Sequence, residues 1–322
     1  MKVIEITTPG DADVLAMGER EKPTISAHEV LVKVTAAGVN GPDLLQRRGH
    51  YPPPKGASDL LGLEVSGEIV ECGDDVRQWN VGDKICALTN GGGYAEYVAI
   101  HADHCLAIPD GISDIDAAGL PETLFTVWSN IFMGHDIPQG SNFLIHGGAG
   151  GIGTTAIQLG AALGLNIFTT VSSDENAVFC KELGANTLIN YRKEDFVEVV
   201  REVGGADIIL DIIGGDYIAR NIKAARADGR IVQLAFNQGS KVEINLMPVM
   251  LKRLTFTGST LRSKSDAAKT LIAQSLRENV WPLYTNRKLR AVTTITLALE
   301  EAAKAHALME AGEHKGKIIL TL

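Results

Sequence analysis

Apolar and polar positions follow two rhythms along this chain. Up to about residue 120 the period is two, as in Val30-Leu31-Val32-Lys33-Val34, Val65–Val70 and Tyr94–Ile100. Turn signals separate these runs: Pro9-Gly10, Gly73-Asp74-Asp75, Val81-Gly82-Asp83 and Gly91-Gly92-Gly93. Short alternating strands with frequent turns predict a β-rich, partly open barrel. Met1–Ile6 reads as a further strand, and a helix is predicted over Pro42–Arg48, since proline suits a first turn. Tyr51-Pro52-Pro53-Pro54 must be extended, because each proline restricts the residue before it. Further helices are predicted over Asp114–Ala118 and Leu124–Phe132.

From Ser141 the rhythm changes to apolar strands alternating with helices. Strands are predicted at Phe143–Ile145, Ile167–Val171, Thr187–Ile189, Asp207–Leu210, Arg230–Ala235 and Thr255–Thr257. Helices are predicted after the first of these and over Asp174–Leu183, Lys193–Val203 and Tyr217–Ala225. Continuous apolar strands separated by helices imply a doubly wound parallel sheet, buried on both faces. The tail returns to mixed structure: helix Ser265–Leu276, strand Arg290–Thr294, helix Leu299–Met309 and strand Lys317–Leu322. The fold class is therefore α/β, and the expected organisation is a parallel-sheet domain over 122–258 inserted between two parts of a β-rich domain, 1–121 and 259–322.

The first βα junction carries the most specific chemistry. Phe143-Leu144-Ile145-His146 runs into Gly147-Gly148-Ala149-Gly150-Gly151-Ile152-Gly153, and a helix follows. Gly148, Gly150 and Gly153 fit G-x-G-x-x-G. Such a loop needs small residues for a tight turn, for close backbone approach to a pyrophosphate and for packing of helix on sheet. A tightly packed turn without a ligand is the competing reading, disfavoured because both the strand and the helix that the motif requires are present.

Composition narrows the field further. The chain has 322 residues and a formal net charge of -9, which gives a nucleic-acid partner no global electrostatic support. Cys72, Cys86, Cys105 and Cys180 are dispersed, with no C-x-x-C, and read as reduced thiols of a cytoplasmic protein. No signal peptide is visible and no apolar run is long enough to span a bilayer. His101 and His104 sit three apart without a further ligand and read as a surface pair.

Several motifs now carry a resemblance. They are Ala37-Gly38-Val39-Asn40 with Asp43, Gly49-His50-Tyr51-Pro52, Gly62-Leu63-Glu64-Val65-Ser66-Gly67, Val81-Gly82-Asp83, Gly91-Gly92-Gly93-Tyr94-Ala95-Glu96-Tyr97-Val98, the glycine loop, and Gly316-Lys317-Ile318. Taken together, in this order and along essentially the whole chain, they resemble the medium-chain dehydrogenase/reductase superfamily, in its zinc-free quinone oxidoreductase (zeta-crystallin-like) branch. The resemblance implies a GroES-like catalytic domain, a Rossmann domain, NADPH as hydride source and a homodimer. Zinc members of the superfamily use Cys where Asn40 stands and His where Leu63 stands. Neither residue here can replace those ligands, so no metal is expected. Glu64 is expected to have a structural hydrogen-bonding role.

The expected activity is reduction of a small-molecule quinone by NADPH. A reductase of conjugated C=C bonds and a weakly catalytic NADPH-binding protein are the alternatives. Asn40 and Tyr51 are the candidate polar groups for the substrate, and Thr126 matches a family position beside the nicotinamide. Asn40 also reads as a turn-former before Gly41-Pro42, Tyr51 as an exposed loop aromatic, and Thr126 as a helix hydroxyl bonded to its own backbone. For the cofactor, the loop Gly147, Gly148, Ala149, Gly150, Gly151, Ile152 and Gly153 is joined by Ser173 and Tyr191, which match the family's 2'-phosphate contacts. The place of an NAD-selecting acid, near Val171-Ser172, is not acidic. Asp174 and Glu175 oppose a phosphate, while Arg192 could supply positive charge, with Lys315 and Lys317 as weaker candidates and NADH as the alternative cofactor. Arg262 and Lys264 read either as cofactor contacts or as a charged surface loop.

Overall fold

The computed structural model describes all 322 residues. The chain divides into two compact units, Met1–Phe125 with Arg262–Leu322, and Thr126–Leu261. No helix is long and apolar enough to cross a membrane.

The first unit opens with β1 (Lys2–Ile6), β2 (Leu15–Glu19) and β3 (Glu29–Gly38), then α1 (Gly41–Arg47), β4 (Glu64–Cys72), β5 (Lys84–Leu88), β6 (Tyr97–His101) and β7 (Cys105–Ala107). The helices α2 (Asp114–Ala117) and α3 (Pro121–Val127) follow. The second unit alternates β8 (Asn142–His146), α4 (Gly151–Ala162), β9 (Asn166–Val171), α5 (Asp174–Glu182), β10 (Thr187–Asn190), α6 (Phe196–Glu202), β11 (Ala206–Asp211), α7 (Tyr217–Ala224), β12 (Ala225–Gln233), α8 (Met247–Leu251) and β13 (Thr255–Gly258). The return adds α9 (Asp266–Asn279), α10 (Trp281–Thr285), β14 (Thr293–Ala298), α11 (Ala302–Ala311) and β15 (Lys317–Thr321) to the first unit.

In the first unit β3 is the hub. It pairs antiparallel with β4, β6 and β15 within a seven-stranded sheet. Ten residues rich in Val and Ala suit a strand packed on its neighbours. Val30, Val32 and Val34 join Val65, Ile69, Ile85, Ile318 and Leu320 in one buried cluster. The final strand, whose partner its sequence does not reveal, thus lies between β14 and β3 and brings Lys317 into the unit.

The second unit is a six-stranded parallel sheet in the order β10-β9-β8-β11-β12-β13. The order reverses between β8 and β11, and ligands of such sheets bind beyond the strand ends at that point. Phe143, Leu144 and Ile145 of β8 are fully buried, as are Ile209 and Leu210 of β11. This is the GroES-like plus Rossmann-like α/β architecture expected from the sequence.

The differences are local. The predicted strand Arg290–Thr294 lies three residues further on, at Thr293–Ala298, where it runs parallel to β15. The helix predicted from Leu124 starts at Pro121, and its second half widens into a π-helical turn over Trp128–Phe132. The helix predicted from Lys193 begins only at Phe196, because the Asp195 carboxylate accepts the Val197 N–H and caps it there. Truncating the centre of the parallel sheet with Ile209→Ala should cost the second unit about 2–5 kcal/mol, read as a lower urea midpoint.

Candidate active site

The dinucleotide loop is built by contacts that only glycine permits. Gly147 has φ +74°, a left-handed conformation, and its N–H reaches Thr170 Oγ1 at 3.2 Å. A Cβ on Gly148 would overlap Thr169, and one on Gly153 would lie 2.6 Å from Gly148 Cα. At Gly150 the outcome is the reverse: only Gly147 O, at 3.8 Å, comes within 4 Å, so the backbone there is open to a ligand. No side chain caps α4 and its first turn has no carboxylate, so its free N–H groups face an anion unopposed. The residues therefore fit a dinucleotide pyrophosphate.

A buried polar line braces this loop from below. His146 Nε2 is 2.7 Å from Asn221 Oδ1, and Asn221 Nδ2 donates to Asp211 at 2.8 Å. Thr170 Oγ1 lies 3.1 Å from His146 Nδ1. Asp211 also accepts the N–H groups of Ile213 (2.6 Å) and Gly214 (3.1 Å) at the end of β11. Burial pushes the His146 imidazole down, against the raising effect of Asp211. The four side chains tie together the ends of β8, β9 and β11.

Ser173, Tyr191 and Arg192 gather at the ends of β9 and β10. Ser173 Oγ caps α5 by accepting the Asn176 N–H at 3.2 Å. The Tyr191 N–H bonds Val171 O at 3.2 Å, which leaves its exposed ring beside the strand end. Asp174 is not free to oppose a phosphate: Lys193 Nζ (2.6 Å) and Asn190 Nδ2 (2.8 Å) hold its carboxylate and keep it below the usual range. Lys193 does not stand out in the sequence, since a Lys beside Arg192 reads as solvated surface.

In the first unit the centre is Glu64, fully buried. Its Oε1 takes Lys317 Nζ at 2.6 Å and Asn40 Nδ2 at 2.9 Å; its Oε2 takes the Glu122 N–H at 2.8 Å. Lys317 Nζ further donates to Asn40 Oδ1 at 2.6 Å and Val39 O at 3.1 Å. Lys317 is therefore no phosphate contact but the counter-ion of Glu64. The Asn40 carboxamide is committed to the same pair, so it positions the cluster. Glu64 has the hydrogen-bonding role expected of it.

Around this cluster, Asp43 is pushed up to about 6 by burial, against the N–H groups of Gly62 and Asn40. Tyr51 is half-buried, and burial followed by the charge of Glu122 raises its phenol. Arg262 is buried rather than on a surface loop: its guanidinium donates to Asn90 O and to Gln46 Oε1 (2.6 Å) and lies 5.7 Å from the Tyr51 ring. Glu122, at the start of α3, is pushed up to about 8 by burial and then by Glu64. The sequence hid Glu122, because an acid in a first helical turn reads as a partner of the helix dipole. Thr126 is half-buried on α3 and its carbonyl accepts Asn130 Nδ2 at 2.8 Å. His104 is buried with Nε2 on Asp266 O at 3.2 Å, so the expected surface pair is half interior.

The Alcohol dehydrogenase GroES-like domain family model matches residues 26–110, and the Zinc-binding dehydrogenase family model matches residues 151–276. The chain belongs to the medium-chain dehydrogenase/reductase superfamily of oxidoreductases. Quinone oxidoreductase of Mus musculus is 28% identical over 100% of this chain and 98% of its own length. The mycocerosic acid synthase-like polyketide synthase of Mycobacterium tuberculosis is 28% identical over 98% of this chain, which spans 15% of that relative's length. Among solved structures, Escherichia coli quinone oxidoreductase complexed with NADPH has a TM-score of 0.90 at 26% identity, covering 100% of both chains. CurK enoyl reductase has a TM-score of 0.87 at 26% identity, covering 99% of this chain and 98% of its own.

The second family model is named for zinc, but the residues here do not fit that ion. Leu63 offers a hydrocarbon, and the Asn40 oxygen that could face a cation already binds an ammonium. No group of three His, Cys, Asp or Glu side chains could hold a metal ion. Gly153→Val, which drives a side chain into Gly148, should weaken dinucleotide binding about tenfold or more in a fluorescence titration; unchanged affinity would contradict the loop's assignment.

Proposed function

We propose that this protein is a zinc-independent, NADPH-dependent quinone oxidoreductase. The observation that carries the reading is the Glu64–Lys317–Asn40 cluster, in which an ammonium satisfies the buried carboxylate. The likeness to the mouse and Escherichia coli quinone oxidoreductases supports the same choice. Bound NADPH would supply the hydride.

In this proposal the unit Thr126–Leu261 is the nucleotide domain and the remainder is the catalytic domain. Gly147–Gly153 hold the pyrophosphate through backbone N–H groups, with Gly150 giving the close approach. Ser173, Tyr191 and Arg192 hold the 2'-phosphate, and the pairing of Asp174 with Lys193 removes the nearest repulsion. Thr126 positions the nicotinamide. Tyr51, kept as a phenol by its raised pKa, donates a hydrogen bond to the acceptor oxygen as charge develops there. Asn40 acts through Glu64 and Lys317.

A homodimer is part of the proposal. β13 is the edge of its sheet with all four residues exposed, and Met247, Met250 and Leu251 of α8 are exposed as well. Such an edge can pair with a second copy of itself. A cytoplasmic setting is supported by four free cysteines, three of them buried. A second reading, reduction of a conjugated C=C bond, is favoured by the similarity to CurK enoyl reductase.

With NADPH and a panel of quinones and enones, loss of the reduced-nicotinamide absorbance should be faster with quinones. Faster turnover of enones would select the second reading, and no turnover of any quinone would overturn the first. Arg192→Ala should raise the NADPH KM up to about fivefold and leave NADH unaffected; equal effects on both would remove Arg192 from the phosphate site.

A further inference from the structure

The reductase reading leaves one proton unassigned. A quinone or conjugated carbonyl that accepts a hydride becomes an anion, a hydroquinone monoanion or an enolate, and the neutral product needs H+. We propose that Glu122 is the proton donor for this step, an assignment that rests on the reductase reading.

Position carries the argument. The Glu122 N–H is fixed on Glu64 Oε2 at 2.8 Å, so the residue is anchored by its backbone while its own carboxyl has no hydrogen-bond partner in the chain. The side chain is only partly covered, so it is open to a ligand as well as desolvated. It belongs to the same cluster as Tyr51 and Arg262, both of which feel its charge.

The groups facing it come from every neighbouring element. Glu64 of β4 and Asp43 of α1 disfavour its ionised form; Lys317 of β15 and Lys269 of α9 favour it. Burial outweighs the two lysines, and the carboxyl is pushed up to about 8. At neutral pH Glu122 therefore keeps its proton and can release it close to the working pH, where an acid is most effective. Tyr51 is raised from an already high value, so it serves as a hydrogen-bond donor and not as the acid.

The step balances. The reduced nicotinamide gives up a hydride: on a quinone it becomes the hydrogen of one O–H bond, on a conjugated carbonyl that of a C–H bond at the β-carbon, and in either case an oxygen is left with the negative charge and a lone pair. That lone pair takes the Glu122 proton and forms the new O–H bond of a hydroquinone or enol. The carboxylate left behind, beside Glu64, recovers H+ from water, because its ionised form is disfavoured there.

The test compares wild type with Glu122→Gln, which keeps the neutral shape but holds no transferable proton. Wild-type kcat, measured with the acceptor it reduces faster, should fall as pH rises through about 8. Glu122→Gln should lower kcat about a hundredfold at pH 7 and lose that limb, with dinucleotide affinity unchanged. In protein without any cofactor, the infrared band of a protonated carboxyl should be present at neutral pH, titrate near 8 and be absent from Glu122→Gln. An active wild type whose Glu122→Gln variant keeps both rate and limb overturns the donor role alone, as does absence of the band. A wild type that reduces no quinone or enone overturns the reductase reading and the donor role with it.

Discussion

The burial of one carboxylate governs the first unit. Glu64 is fully buried, and an uncompensated charge in that position would be strongly destabilising. Its oxygens are satisfied by Lys317 from the last strand, by the Asn40 carboxamide and by the N–H of Glu122. These contacts join β4, β15, the turn before α1 and the start of α3. Lys317 balances the charge of Glu64, while burial, and after it the charge of Glu64, pushes the neighbouring Glu122 carboxyl up to about 8.

The second unit depends on a different constraint, the closeness of backbone to backbone at the glycine loop. Gly148 and Gly153 are demanded by Thr169 and by each other, whereas Gly150 leaves the space in front of the loop open. The line Thr170–His146–Asn221–Asp211 holds the strand ends on which that loop rests. His146 is neutral and internal, so its work is to brace and not to react. At the edge of the same sheet, Lys193 and Asn190 hold the Asp174 carboxylate.

Most of the fold was legible because its two periodicities are strong. The parallel strands are buried on both faces and read as continuous apolar runs, so β8, β9 and β11 stand out. The tail was less legible: the β-branched run around Thr293–Ala298 suits a strand in more than one register, and only β15 selects one. The glycine loop could be read because its requirement is local. Lys317 and Glu122 could not be assigned, because their roles arise only when β15 and α3 meet Glu64, far away in sequence. Asn40 stands out in the sequence as a departure from a metal-ligating residue type, and its carboxamide serves Lys317 and Glu64.

The central claim is that a buried ammonium, not a metal ion, completes this cluster. Metal analysis of the purified protein, paired with quinone reduction before and after prolonged chelation, tests it most directly. The account predicts far less than one zinc per chain and activity unchanged by the chelator. One zinc per chain, with activity lost on its removal and restored on its return, would contradict it.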